Sequence, residues 1–418
     1  MAHPLLESAQ RDASEFVALR RDIHQHPELG LHEVRTADLI AQRLEAWGYD
    51  VHRGLATTGV VGTLKRGNFA DKSSKRLGLR ADMDALPIHE TTGANWASVH
   101  PGVMHACGHD GHSAMLLAAA KKIASDSNFS GTLHLIFQPA EEHPGGAKLM
   151  VEQGLFERFP CDAIFAMHNM PGLPQGQLAF HEGAAMASSD DVTITLTGTG
   201  GHGAMPHLAA DPIVAASSIV MALQTIVSRN VDPQHTAIVT VGAFNAGRAN
   251  NVIPASVKLE LSVRALDAGV RDLLEARIKA LVQAQATSFG VTAHINYKRD
   301  YPVLINSTAE TAFARAVGIE LLGADGVAKD SRPQTGSEDF AVMLEHCPGS
   351  YLLIGNGAGE GSCMVHNPSY DFNDDNIAVG AAYWTLLTER FLVHSNQAAT
   401  VFPATKLPAL PTRSCATA

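Results

Sequence analysis

Hydrophobic and polar positions along the first part of the chain follow helical and strand-like periods in turn. Apolar residues at helical spacing predict helices at residues 12–26, 33–47, 113–125 and 147–153. Short apolar runs predict strands at residues 60–64, 77–81, 131–137 and 163–167. Strands that alternate with helices are typical of an α/β fold, with a mostly parallel sheet covered by helices on both faces.

The rhythm changes between residues 188 and 298. The pattern there predicts, in order, a strand at 191–197, a helix at 212–229, strands at 237–244 and 257–264, a helix at 268–288 and a strand at 291–297. This β-α-β-β-α-β order is the ferredoxin-like α+β arrangement. We therefore predict that residues 188–298 form a compact inserted domain, for which the family resemblance given below implies a lid or dimerisation role.

The α/β pattern resumes after the insertion. It predicts helices at residues 308–322, 338–346 and 375–391 and a strand at 351–354. Residues 1–187 and 299–393 are therefore expected to form one α/β domain, to which the side chains described next assign a catalytic, metal-binding role. Residues 394–418 carry three prolines and small polar side chains, which predicts a disordered tail.

Side chains with useful chemistry follow the predicted strands. Asp82 follows one strand, Glu141 and Glu142 follow a second, and His168 follows a third. Sites in open α/β sheets form at the carboxyl ends of the strands. These groups are therefore expected along one edge of the sheet.

The segment His-Ala-Cys-Gly-His-Asp-Gly-His, residues 105–112, concentrates possible metal ligands. Cys107 and His109 are the ligand candidates, since a thiolate with an imidazole suits Zn²⁺ and other first-row divalent ions. His105 and His112 are assigned to supporting or structural positions. A buried free cysteine beside structural histidines is the alternative.

The adjacent carboxylates of Glu141 and Glu142 repel each other unless a positive charge separates their roles. With a metal present, one glutamate ligates it and the other takes a proton from water that the metal activates. A solvated acidic pair in a loop is the alternative. Asp82 can orient a metal-bound histidine by accepting the proton of its other ring nitrogen, whereas helix capping is the alternative for Asp82 or Asp84.

The inserted domain offers two further polar groups. His202 lies in the glycine-rich stretch 200–207, where it can stabilise the oxyanion of a tetrahedral intermediate. A plain connector is the alternative for this stretch. Asn251 can bind a substrate carboxylate or carbonyl, although asparagine is equally common in turns.

Composition excludes several classes of protein. The length of 418 residues is too great for one ordinary core, and the net charge of -11 disfavours nucleic acid as a partner. No stretch approaches the roughly 20 apolar residues that span a bilayer, and the N-terminus lacks a secretory signal, so no membrane partner is expected. The five cysteines are scattered and odd in number, which favours a reducing cytoplasm.

Taken together, these motifs resemble the M20 metallopeptidase family and its aminoacylase-like amidohydrolase branch. That branch includes hippurate hydrolases and indole-acetyl-amino-acid hydrolases. The resemblance spans roughly residues 12–392. The matching motifs lie at residues 80–88, 101–112, 138–142, 200–207, 251–254, 336–340 and 366–373.

The resemblance implies two divalent metal ions per subunit, with Zn or Mn favoured and Co or Ni as alternatives. The implied ligands are Cys107 as the bridge together with His109, Glu142, His168 and His366. Glu141 is implied as the general base. His202 and Asn251 are implied to reach the active site of a partner subunit, which implies a homodimer. Arg264 and Gly336 are implied as substrate contacts.

Two positions depart from the family pattern. Relatives often carry a histidine where this chain has Arg80, which cannot ligate a metal, so His109 is expected to replace that ligand. Glu142 is followed by His143 and Pro144, where relatives tend to carry glycines. This departure is expected to alter the rim of the pocket.

The hypothesis is a metallo-amidohydrolase that cleaves the linear amide bond of N-acyl amino acids, hippurate-like or other conjugates, with closure of the inserted domain over the site. A dipeptidase, a carboxypeptidase or an N-acetyl-amino-acid deacetylase of the same family is the first alternative. A cysteine hydrolase with Cys107 as the nucleophile is a second alternative, and the glutamate pair argues against it because that mechanism gives the pair no role. A metal-binding or ligand-binding module without catalytic activity is the non-enzyme alternative. The glutamate pair argues against it, because such a module needs no general base.

Overall fold

The computed structural model of the chain describes residues 3–71, 73–357 and 363–392. Its helices are α1 (Pro4–Gln25), α2 (Val34–Ala46), α3 (His109–Asp126), α4 (Gly146–Glu152), α5 (Leu155–Arg158), α6 (Pro212–Arg229), α7 (Ala268–Ser288), α8 (Thr308–Leu322), α9 (Phe340–Leu344) and α10 (Asn376–Phe391). The tail predicted at 394–418 lies outside the described residues.

The strands fall into two large sheets and two small ones. They are β1 (Asp50–Leu55), β2 (Gly59–Arg66), β3 (Arg76–Asp82), β4 (Gly131–Gln138), β5 (Ala163–Pro171), β6 (Leu178–Phe180), β7 (Gly183–Met186), β8 (Asp190–Thr197), β9 (Gly201–His202), β10 (Ala237–Ala246), β11 (Val252–Ile253), β12 (Ser256–Ala265), β13 (Thr292–Arg299), β14 (Leu304–Asn306) and β15 (Gly349–Gly357).

The larger sheet has the strand order β1-β2-β4-β3-β5-β15-β6. Its four central strands, β4, β3, β5 and β15, run parallel, and the outer strands are antiparallel. The predicted α/β class is therefore confirmed. The outer strands β1 and β6 are missed by the hydrophobic pattern, because β1 buries only Leu55 and β6 has three residues.

Alternate residues of the central strands face two different hydrophobic cores. On β5, Phe165 packs into the core formed with α1, α3 and α10, whereas Ile164 packs into the core formed with α4 and α9. Side chains on a strand point to opposite faces in turn, so a central strand with two cores must be apolar throughout. The sheet is covered on both faces, as predicted.

Two helices begin or end away from their predicted positions. The helix predicted from residue 12 begins at Pro4, whose fixed φ suits a first helical turn, and His3 caps it by accepting from the Leu5 amide at 3.2 Å. The helix predicted from residue 338 begins at Phe340, because the Glu338 side chain accepts the Phe340 amide hydrogen at 3.0 Å.

The second large sheet has the order β10-β12-β8-β13 and is antiparallel throughout. Helices α6 and α7 cover one face and share a separate hydrophobic core with it. This is the predicted ferredoxin-like arrangement, while the limits at residues 188 and 298 stay a prediction. The uncovered face carries Asp191, Thr240, Ser262 and Arg264, which alternate with core residues and point away from the helices.

Helix α6 is the most apolar long helix of the described chain. It has 18 residues with a mean hydropathy of 1.4, of which 33% are buried inside the protein. By length and composition alone it could cross a membrane, so the expectation that no stretch approaches such a span is wrong for this helix. Its buried side includes Ile219, Leu223 and Ile226 of the second core. Its opposite side leaves Val214 and Met221 exposed.

A buried ion pair fastens the start of β8 to α7. Asp190 is fully buried and accepts from Arg271 Nε at 2.9 Å and from the Tyr297 hydroxyl at 2.7 Å. Since removing one partner leaves the other charge buried and unpaired, Asp190→Ala should lower the free energy of unfolding by about 3 to 5 kcal/mol. Urea denaturation measures this change.

The control for that variant is Glu260→Ala. This substitution breaks the pair between Glu260 and Lys258 on the same sheet, where both side chains are about half exposed. Exposed pairs contribute at most about 1 kcal/mol. Equal losses in the two variants would contradict the importance of the buried pair.

Candidate metal centre

The structure brings all five predicted metal ligands together at the carboxyl end of the parallel strands. Cys107 precedes α3 and His109 is its first residue, Glu142 follows β4, and His366 precedes α10. His168 lies inside β5 rather than after it, because that strand continues to Pro171.

The ligand atoms form two groups that share one thiol. Cys107, His109 and His168 make one group, and Cys107, Glu142 and His366 make the other, with the ligand atoms of each group within 4.8 Å of one another. Cys107 Sγ lies 3.3 Å from His168 Nε2, and His366 Nε2 lies 3.0 Å from Glu142 Oε1. A shared thiolate between two such groups is the arrangement expected of a bridging ligand.

Gly108 allows the loop to turn between two ligands. It adopts a left-handed φ of 90°, and a Cβ at this position would lie 2.4 Å from Asn169 Nδ2 and 2.5 Å from the Tyr370 hydroxyl. Only glycine fits both the conformation and the space. The close approach places the first turn of α3 against β5.

The donor atoms fit divalent cations. His109 Nε2 is buried and has no hydrogen-bond partner among the described residues, and buried polar atoms rarely stay unpaired. Burial raises the pKa of the Cys107 thiol, and the carboxylates of Glu142 and Glu141 raise it further. Divalent cations would satisfy the imidazole nitrogen and favour the thiolate.

Asp84 supports two of the ligands at once. Its Oδ1 lies 3.1 Å from His109 Nδ1, and its Oδ2 accepts the Glu142 amide hydrogen at 3.0 Å. Burial opposes protonation of His109, but Asp82 and Asp84 outweigh it and raise the pKa of His109 to about 10. The sequence predicts that Asp82 orients a metal-bound histidine, whereas in the structure it is Asp84 that contacts His109 Nδ1.

Asp82 also lies beside a ligand, with its Oδ2 3.8 Å from His109 Nε2, and it contacts a second histidine. Its carboxylate lies 2.6 Å from His112 Nδ1 and accepts from Arg80 Nη1 at 2.7 Å. His112 Nε2 accepts the Asn169 amide hydrogen at 3.0 Å, which fixes the backbone next to the ligand on β5. His112 also forms a possible ligand group with Asp82 and His109, so its supporting position stays a prediction. His105 is buried and belongs to neither ligand group.

Glu141 belongs to a buried cluster of carboxylates beside the ligands. Its oxygen lies within 4.8 Å of carboxylate oxygens of Glu338 and Asp339. Arg80 Nη2 donates to Glu338 at 2.9 Å and to Asp339 at 3.2 Å. Burial, followed by the charges of Glu338 and Glu142, raises the pKa of Glu141 well above its usual value. A carboxylate with raised proton affinity suits a general base.

A cavity of about 810 Å³ opens in front of these groups. The ligand cluster lies on one side, and the uncovered face of the four-stranded sheet lies on the other. Arg264 and Gly336 line this cavity, as their predicted contact with substrate requires. Arg264 donates to Ser337 at 2.7 Å, and none of the described carboxylates forms an ion pair with it. Apolar lining is supplied by Met170, Met186, Leu353 and Met364.

His202 and Asn251 lie outside this cavity. They are exposed side chains of a small two-stranded sheet, in which His202 pairs with Val252, and Gly203 donates to the Asn251 carbonyl at 2.8 Å. The Ala204 amide donates to His202 Nδ1 at 3.1 Å. Within one subunit, the structure therefore does not bring these two predicted residues to the ligands.

Some residues of the site carry weak sequence signals. Asp84 stands two positions after Asp82, so both follow the same strand and the sequence alone does not separate their roles. Glu338 and Asp339 are adjacent acidic residues, which the helical pattern includes in a helix. His143 lines the cavity rim and is exposed, which agrees with the expected change of the rim.

Comparisons with known proteins agree with this geometry. The model of peptidase family M20/M25/M40 matches residues 78–390. The chain is 47% identical to hippurate hydrolase of Campylobacter jejuni over 378 residues, which cover 90% of this chain and 97% of that protein. It is 36% identical to N-acetyl-L-cysteine deacetylase of Bacillus subtilis, with coverage of 92% and 89%.

A solved structure shows the same fold. A Bacillus subtilis protein described as a dinuclear metal binding peptidase from the M20 family aligns with a TM-score of 0.78 at 30% identity, covering 92% of this chain and 99% of that chain. The motifs, the shared-thiol geometry and these matches lead to one conclusion. The chain belongs to peptidase family M20/M25/M40.

Proposed function

We propose that this protein is a metal-dependent amidohydrolase that cleaves N-acyl amino acids, with hippurate-like conjugates as its substrates. One observation carries the proposal. Glu141 lies within 4.8 Å of the ligand atoms of His109 and Glu142 but belongs to neither group that contains Cys107. A carboxylate so placed is free to move protons, which a binding module does not need. The relatives named hippurate hydrolase and N-acetyl-L-cysteine deacetylase support the same reaction class.

The metal ions and the side chain of Glu141 would contribute different steps of the hydrolysis. Bound divalent cations, with Zn or Mn favoured, polarise the amide carbonyl and lower the pKa of water. Glu141 accepts a proton as the water oxygen attacks the carbonyl carbon, and it returns the proton to the nitrogen as the carbon–nitrogen bond breaks. The products are a carboxylate and a free amino acid.

The residues that line the cavity suit both ends of such a substrate, the carboxylate of the amino acid and the acyl group. Arg264 is a cation without an acidic partner among the described residues, so it suits the carboxylate of the amino acid. The apolar side chains of Met170, Met186 and Leu353 suit an aromatic acyl group. An acetyl group fills little of about 810 Å³, so deacetylation of N-acetyl amino acids is the second candidate. A dipeptidase is the third.

A homodimer through the four-stranded sheet completes the proposal. Six of the twelve exposed large hydrophobic side chains in the described chain lie between residues 205 and 252. Val214 and Met221 are on α6, and Phe244 is on the edge strand β10, whose free backbone can pair with another strand. Such a cluster on a soluble surface favours contact with a second copy.

His202 can donate a hydrogen bond to the active site of a second subunit across that interface. Because the Ala204 amide donates to Nδ1, the neutral ring carries its proton on Nε2 and can donate it to an oxyanion. His202 and Asn251 are exposed and outside the cavity of their own subunit. We therefore assign both to the cavity of the partner subunit.

A reducing cytoplasm is the proposed location. All four cysteines in the described residues, Cys107, Cys161, Cys347 and Cys363, are free thiols. Unpaired thiols persist where the compartment is kept reduced.

The ligand assignment predicts which variants lose metal. Because both groups share Cys107, Cys107→Ala should lose most of both ions, whereas His366→Ala should lose about one of the two. Inductively coupled plasma mass spectrometry after dialysis measures the content. Cys347→Ala is the matched control, since Cys347 is an equally buried thiol away from the cavity. Unchanged metal content in Cys107→Ala would contradict the shared-ligand assignment.

The activity itself is tested with a substrate panel. Hippurate, N-acetyl-methionine, indole-acetyl-alanine and two dipeptides are each assayed with metal-free, Zn and Mn protein. We expect metal-dependent release of the amino acid, fastest from the aromatic acyl conjugates. Glu141→Gln should lower kcat by about 10²- to 10⁴-fold and keep its metal. Hydrolysis without metal, or full activity of Glu141→Gln, would refute the mechanism.

Mixed dimers test the assignment of His202 to the partner. His202→Ala and Glu141→Gln should each be inactive alone, with a loss of about 10²- to 10³-fold for His202→Ala. A heterodimer of the two, purified with two different tags, contains one cavity with both residues intact. It should regain about half of the unmodified activity. A heterodimer as inactive as its parents would show that His202 does not act in trans.

A further inference from the structure

The peptide group between Glu141 and Glu142 is held at both of its polar atoms. The Tyr301 hydroxyl donates to the Glu141 carbonyl at 2.6 Å, and the Glu142 amide donates to Asp84 Oδ2 at 3.0 Å. A peptide group is planar, so two hydrogen bonds from different directions fix its orientation. This peptide joins the proposed base to a proposed ligand, and its orientation sets the direction of both side chains.

Tyr301 is itself well anchored. It lies between β13 and β14, where the chain returns from the four-stranded sheet. Its carbonyl accepts the Ser189 amide hydrogen at 3.0 Å, and the Ser189 carbonyl accepts from Asp300 at 2.9 Å. The ring passes over Gly145, where a Cβ would lie 3.3 Å from the ring. The hydroxyl is therefore presented from a fixed backbone.

Other hydrogen bonds hold the loop on either side of this peptide: the Ala140 amide donates to Glu33 at 2.9 Å, and Glu141 Oε1 accepts the Asp339 amide hydrogen at 3.4 Å. Ala140 adopts a left-handed φ of 53°, and its carbonyl accepts the Gly146 amide hydrogen at 2.8 Å. Among the described residues, the Tyr301 hydroxyl is the one hydrogen-bond donor to the Glu141 carbonyl. Loss of this bond frees one side of the peptide while the Asp84 bond keeps the other.

We propose that Tyr301 is a positioning residue, which fixes the peptide between Glu141 and Glu142 and thereby aims the base and the ligand without contacting the reacting atoms. The inference rests on the proposed function for its kinetic part. Burial raises the pKa of the Tyr301 hydroxyl, and nearby carboxylates including Asp339 raise it further, so the hydroxyl keeps its proton and stays a donor.

The test compares two tyrosine-to-phenylalanine variants. Tyr301→Phe removes the hydroxyl and keeps the ring over Gly145. Tyr297→Phe removes a similar hydrogen bond, which is 2.7 Å long and joins Tyr297 on β13 to Asp190 at the start of β8. Each variant should unfold in one cooperative thermal transition, which confirms that it is folded.

Two readouts separate positioning from other roles. The first is Zn²⁺ affinity by competition with a chelator, which needs no substrate, and Tyr301→Phe should bind about 10-fold more weakly. The second is steady-state kinetics at saturating Zn²⁺ on a panel member that the unmodified protein hydrolyses. There kcat should fall about 10- to 100-fold with KM changed less than about twofold. Tyr297→Phe should match the unmodified protein in both.

Three other results overturn the proposal. Unchanged Zn²⁺ affinity in Tyr301→Phe refutes the fixed peptide, even if no panel substrate is hydrolysed. A raised KM with unchanged kcat makes Tyr301 a substrate contact instead. Equal losses in Tyr297→Phe indicate a general effect of the sheet. A silent panel with weakened Zn²⁺ binding contradicts the proposed function alone.

Discussion

The repulsion among clustered carboxylates is the constraint on which the metal centre depends. Six acidic side chains converge behind the cavity: Asp82, Asp84, Glu141, Glu142, Glu338 and Asp339. Burial makes their charges costly, and burial with neighbouring charge raises the pKa of Glu141 and Asp339 well above the usual range. Arg80 supplies one fixed positive charge, bonded to Asp82, Glu338 and Asp339. The remaining negative charge faces the ligand cluster, where divalent cations would offset it.

Parallel strand register explains how residues from distant segments meet there. Asp82 on β3 pairs with Gln138 on β4, so the loops that follow these strands leave the sheet side by side. The first loop brings Asp84 and the second brings Glu142, close enough for the hydrogen bond between them. Because Asp84 also contacts His109, one carboxylate links the ligand Glu142 of the second loop to the ligand His109 on α3. The position of Glu142 relative to His109 therefore follows from the register of the sheet.

This origin also explains what the sequence predicts and what it does not. Cys107 and His109 lie within one short motif, so the residue types and their spacing are enough to predict both as ligands. The choice of Asp84 over Asp82 as the partner of His109 depends on Arg80, which holds Asp82 from the side, and no local pattern encodes that contact. Tyr301 reaches Glu141 across 160 positions of the chain, so neither periodicity nor motif spacing reveals it. Short edge strands such as β6 escape prediction because three residues show no period.

A second network of charges holds the centre without any metal. Arg20 Nε on α1 lies 2.7 Å from Asp110 Oδ2, and His24 Nδ1 lies 2.8 Å from the same oxygen. Asp110 directly follows His109, so α1 fixes the backbone of the first turn of α3 while Asp84 fixes the ring of His109. The charged side chains of Arg20 and His24 thus restrain the backbone beside the ligands. Divalent metal ions would bind the ligand atoms themselves. A ligand restrained in this way loses little freedom when an ion binds, and preorganisation of this kind strengthens binding without a further contact.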